Sequence, residues 1–118
     1  MKIFKKVLMV TIGIVCIGLL WVSLAMARIS CDSSGCTASG GGSVDFKCSK
    51  NVKIYCNSDG QTYAATSGHK SGDKAYGVTS SSSLVYYTTK TEGQEWNWTD
   101  STHSDSSAFT TSNNWHSL

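Results

Sequence analysis

Two hydrophobic patterns divide the chain. Residues 7–21, VLMVTIGIVCIGLLW, form an unbroken uncharged apolar run, whereas beyond residue 43 apolar and polar side chains alternate in short stretches. A period of two puts successive side chains on opposite faces and predicts strands. Val44, Phe46 and Cys48 alternate with Asp45, Lys47 and Ser49, and Val52, Ile54 and Cys56 alternate with Lys53, Tyr55 and Asn57. A three-residue loop, 49–51, with Asn51 left-handed, joins these runs into a hairpin with all six apolar residues on one face. Asp59-Gly60 marks the next turn. As a two-residue loop it sets Cys56 opposite Tyr63 and Ile54 opposite Ala65, so 43–66 reads as a three-stranded meander.

The tandem strings SGHK and SGDK at 67–74 read as a polar loop, 74–79 as a short strand holding Tyr76 and Val78, and 80–83 as an exposed serine run. Residues 84–90 predict a further strand. If 91–93 turns it back with Gly93 left-handed, Tyr86 faces Trp98, Thr88 faces Trp96, and Leu84, Tyr86, Trp96 and Trp98 share one side. A two-residue loop at 92–93 would put Tyr87 in place of Tyr86. Residues 108–111 offer a last strand, and Trp115 and Leu118 either pin the tail or hang free. Five to seven short strands predict a mainly β fold, a small antiparallel sandwich or open barrel.

The apolar run changes where this fold must live. Lys2, Lys5 and Lys6 precede it and Ala25-Met26-Ala27 ends it. A basic start, an apolar middle and small residues at −3 and −1 are the layout of a secretory signal cut before Arg28. The alternative is an uncleaved membrane anchor, since residues 7–27 would span roughly 31 Å as a helix. The domain organisation expected is therefore a signal at 1–27, a Gly/Ser-rich Cys-containing segment at 28–42, and a β domain at 43–118 with a polar tail. Either reading delivers 28–118 outside the cytoplasm, secreted or in the periplasm or cell envelope, with membrane contact only through an uncleaved N-terminal segment. Cys16 lies in the apolar run without the small residues that lipidation wants, and is read as a passenger.

Composition sharpens the picture. Residues 28–118 hold only ten Leu, Ile, Val and Phe, against five Tyr and three Trp, and 30 of the 91 are Ser or Thr. A core this poor in aliphatics needs covalent support. Cys31, Cys36, Cys48 and Cys56 are an even set in an oxidising compartment, and two disulfides are expected. Their spacing lacks the paired C-x2-C knuckles of structural zinc, so no metal is expected, nor any cofactor. In the hairpin register above, Cys48 and Cys56 stand roughly 13 Å apart, too far to bridge, so each should reach back to Cys31 or Cys36. If that register fails, the local pairs Cys31–Cys36 and Cys48–Cys56 return.

Residues 28–118 carry seven Lys/Arg and eight Asp/Glu, a net charge of −1 without a basic stripe, which argues against nucleic-acid binding. Ser67-x-x-Lys70 and Ser71-x-x-Lys74 match the Ser-x-x-Lys string of penicillin-binding enzymes, but without the helix or the Lys-Thr-Gly that chemistry needs. His103, with Asp100, Ser104, Asp105 and Ser106 nearby in sequence, allows a Ser-His-Asp set to be drawn, although triads are defined by geometry. Trp96-Asn97-Trp98 either fills the core or forms a platform for sugar rings or apolar partners, and Asn97-Trp98-Thr99 is an N-glycosylation acceptor string. Trp96, Trp98 and Tyr86 are the candidate recognition residues. The expected function is non-catalytic surface recognition of a protein or glycan, or a structural role, outside the cytoplasm. A secreted antimicrobial or toxin-like polypeptide and a small secreted hydrolase are the alternatives.

Overall fold

A computed structural model describes residues 26–39 and 44–118. The leader and anchor readings of 1–25 lie outside the described residues. Seven antiparallel strands form one sheet: β1 (Ala27–Asp32), β2 (Gly35–Ser39), β3 (Val52–Ser58), β4 (Tyr63–His69), β5 (Lys74–Thr79), β6 (Tyr86–Thr89) and β7 (His116–Ser117), in the order β2-β1-β3-β4-β5-β6-β7. The mainly antiparallel β reading holds. The described residues make a single open sheet instead of the two layers of a sandwich, and its second layer is the irregular connection 90–115.

The sequence signals that succeed are turn signals. Asn51 and Gly93 adopt the left-handed backbone expected of them. β5 has the expected bounds, and β6 is the centre of the expected 84–90 strand. The Asp59-Gly60 turn takes four residues, not two, because the Asp59 carboxylate accepts the N–H groups of Gln61 and Thr62 and holds both in the loop. Cys56 therefore pairs with Ala65 and Ile54 with Ser67, a shift of two that preserves the face.

Other expectations are corrected. Residues 44–49 form no strand, and β3 instead has β1 and β4 as its neighbours, so the 44–56 hairpin does not exist. Residues 67–69 are strand, and the SGHK/SGDK region is a tight β4–β5 hairpin closed at 70–73. β6 pairs with β5 and β7, not with 94–98. The N–H of Lys90 bonds the Asp73 carbonyl and that of Gly93 bonds the Lys70 carbonyl, which steers the chain over the β4–β5 turn and away from β6. Residues 106–108 and 111–113 are single 3-10 turns, not the final strand expected at 108–111.

The cysteine pairing follows from this topology. Cys31 and Cys36 are directly opposite on β1 and β2 and are joined by a disulfide, so the reach-back pairing of Cys48 and Cys56 is replaced by the local one. Cys48 and Cys56 are free thiols. Burial and the Asp32 carboxylate push the Cys48 thiol pKa up, against the opposing pull of the Ile54 N–H, and burial does the same to Cys56.

The sheet buries the face that alternation marked as polar. Tyr55, Asn57, Ala64, Thr66, Gly68, Ala75, Gly77, Thr79, Tyr86 and Thr88 lie beneath the 90–115 segment, while Ile54, Cys56, Tyr76 and Val78 face away from it. The reason lies in the covering layer. An irregular segment leaves main-chain carbonyls without ladder partners, and buried carbonyls must be paired. The sheet supplies side-chain donors: Asn57 Nδ2 to the Asp100 and His103 carbonyls, Tyr55 OH to Trp96, and Thr88 Oγ1 to Asn114. Every buried side-chain nitrogen and oxygen among the described residues has a partner.

Candidate functional site

The covering segment is fixed by aromatic rings set on a floor of small residues. Phe109 is the hub: Tyr86 stacks on it at 5.0 Å, Trp98 at 6.0 Å, and Trp115 meets it edge-on at 4.8 Å. Gly77 leaves the room, since a Cβ there would collide with the Phe109 ring, and one at Gly68 would stand 2.6 Å from Trp96 Cβ. The small β4 and β5 residues are thus the negative of the rings above them.

Arg28 pins the other end. Its guanidinium donates to the Trp98 carbonyl, to the Asp100 carbonyl at 2.5 Å and to Asn57 Oδ1 at 3.3 Å. The same group lies 5.0 Å from the Tyr55 ring centroid and 5.6 Å from that of Trp98, within cation–π range. No sequence signal marks Arg28 as more than the first residue after a cleavage site. A fork donor at a strand start becomes legible only once its neighbours are known.

Between this pinned layer and the β6 end lies a cleft of about 810 Å³ open to solvent. Its floor carries Trp96, Trp98 and Trp115, and its rim includes Asn97, Asn113 and Asn114. Of the candidate recognition residues, Trp98 is 3 % exposed and Tyr86 9 %, so both are core. Trp96 is half-buried, with its Nε1 donating to Thr66 Oγ1 at 2.9 Å and its ring meeting Trp115 edge-on. The structure does gather Tyr86, Trp96 and Trp98, but by a ring layer laid across the sheet; Leu84, expected with them, is exposed.

His103 also borders the cleft. Its Nδ1 lies 2.9 Å from Asp100 Oδ2, and Asp100 Oδ1 accepts the N–H groups of Thr102 and His103. Partial burial works against ionisation of Asp100, but these N–H groups and the imidazole outweigh it and hold the carboxyl below its ordinary range. The pair can orient an imidazole and present its Nε2 for proton transfer. The other members of the paper triad are employed elsewhere: the Ser104 hydroxyl pairs with Thr62, and Asp105 caps the turn at Ser107. Ser67 and Ser71, with Lys70 and Lys74, belong to the β4–β5 hairpin, where no helix sets a lysine beside a serine.

Among the described residues no cluster of His, Cys, Asp and Glu could hold a metal. The cleft lining includes no Lys or Arg, and its one carboxylate is occupied by His103. Apart from the Asp100–His103 pair and His116, what the walls offer is neutral: carboxamides, hydroxyls and indole edges. No family model, no curated protein and no solved structure matches this chain.

Proposed function

We propose that this chain is an exported, non-catalytic recognition domain whose cleft takes a neutral, hydroxyl-rich ligand, a glycan segment being the best fit. One observation carries the reading: three asparagines and several hydroxyls surround tryptophan edges, without a Lys or Arg to hold a phosphate or carboxylate. Carboxamides bond vicinal hydroxyls as both donor and acceptor, and the half-buried Trp96 offers the ring surface that covers the apolar side of a sugar. Titration of the secreted chain with neutral oligosaccharides, followed by calorimetry and tryptophan fluorescence, tests it. Binding that is weakened about tenfold by Asn97→Ala or Asn113→Ala, the loss of roughly 1.4 kcal/mol, supports it. Heat-silent titrations across a broad glycan panel overturn it.

Export is part of the same proposal, supported by the Cys31–Cys36 bridge. Oxidation after translocation would add a second bridge between Cys48 and Cys56, since the Ile54 N–H that meets the Cys48 thiol is two residues from Cys56. Non-reducing mass spectrometry reports both bridges and whether the chain starts at Arg28. A hydrolytic reading has one observation in its favour, the Asp100–His103 pair at the cleft, and turnover of ester or glycoside substrates that is lost in His103→Gln would establish it.

A further inference from the structure

Beyond its β1 margin, where Cys31 is buried and the Cys48 N–H holds the 44–49 segment to the Asp32 carbonyl, the sheet has a second face that the 90–115 layer leaves open. Two cross-strand rows traverse it: Ile29, Cys56, Ala65 and Val78, and beside them Cys31, Ile54, Ser67, Tyr76 and Tyr87. Neither row contains a charge; on the strands of this face Lys74 is the charged side chain, with His69 and His116 at the margins. Tyr63, Tyr76 and Val78 are 47 %, 46 % and 42 % exposed. An antiparallel sheet that shows one face to water normally makes that face polar. Here the polar side chains went to the covered face, and the aliphatic ones were left outside.

We propose that this face docks a second copy of the same chain, face to face, so that two single sheets form one sandwich. Size is the first argument. The strands β1 and β3 to β6 hold 30 residues, which at about 3.3 Å each and about 4.8 Å spacing give a plane of roughly 475 Å². Two such planes come to roughly the 1,000 Å² that a specific interface needs. Charge is the second. The uncharged rows offer nothing to a highly charged partner, whereas an isologous pair sets each row against its own equivalent without opposing like charges. Architecture is the third, because twisted sheets pack in this aligned way about 10 Å apart, with side chains from the two inner faces interleaved.

Sedimentation velocity of the secreted chain over a concentration series tests the pairing. The expected species has twice the chain mass, and Val78→Lys or Tyr76→Lys, each at a half-exposed position that leaves the monomer fold intact by circular dichroism, halves it. Gln94→Lys, on the covering segment, leaves the dimer unchanged. Two results overturn the proposal: a wild-type chain monomeric at every concentration, whether it then binds lipid vesicles or another protein, or a dimer that persists in both lysine variants. Neither result depends on the cleft binding a glycan.

Discussion

The two faces of the sheet carry inverted chemistry. Beneath the 90–115 segment lie Asn57, Thr66, Thr79 and Thr88, all buried, with alanines and glycines between them; on the opposite face lie Ile54, Tyr76 and Val78. The contrast teaches that the nature of a covering layer decides what the covered face must be. A helix or second sheet brings its own hydrogen bonds and asks only for hydrocarbon. An irregular layer brings unpaired carbonyls and large rings, so the floor beneath it must supply donors and hollows.

Substitutions that treat the two faces alike should expose this difference. Asn57→Leu, the hydrophobic change conventional wisdom would favour at a fully buried site, should cost about 3 kcal/mol in urea unfolding, because it leaves the His103 carbonyl unpaired, takes one of two donors from the Asp100 carbonyl and removes an acceptor from Arg28. Reducing the sheet to its non-covalent bonds by Cys31→Ser with Cys36→Ser should cost about 2 kcal/mol for so short a loop, read in the same experiment. Arg28→Lys keeps the charge but loses the fork that reaches two carbonyls, and about 1 to 2 kcal/mol of stability should go with it.

Acid should act on the covering layer first. The fold holds the Asp100 carboxyl below its ordinary pKa, so the stability it contributes is complete above the unfolded value of about 3.9 and is lost as pH falls through the folded value. Hydrogen exchange in 96–104 should accelerate below about pH 4, and Asp100→Asn should flatten that dependence. The smallest effect belongs to the open face. Val78→Ser, in dilute protein, should shift stability by no more than about 0.5 kcal/mol. A loss comparable to that of Asn57→Leu would mean that the outer face matters to the monomer's stability as much as the inner one.

Local signals are readable where a residue type decides a backbone shape. Asn51 and Gly93 announce their turns, and alternation announces β3 and β5. The face is not readable in the same way, because alternation reports only that two faces differ; placing Val52, Ile54 and Cys56 inward assumes that hydrocarbon is what a sheet buries. The cysteine pairing fails with it, since it rests on a strand at 44–48 whose residues alternate yet find no partner. Trp96 and Trp98 stand out in the sequence as a pair of consequence, and Tyr86 as their neighbour. The route by which they meet depends on Gly68 and Gly77, whose only signal is a missing side chain, and on Arg28, whose partners lie some 70 residues away.

The placement of β7 has a consequence for timing. The final two-residue strand docks on β6 only after the whole of 90–115 has crossed the sheet, and Trp115 immediately precedes it. A chain that emerges from a ribosome or a translocation channel N-terminus first therefore presents six strands with an incompletely covered inner surface until Trp115 has followed. Closure is a late, long-range event, and a chain stopped just before Trp115 would own β1 to β6 and still lack the ring that packs edge-on against Phe109.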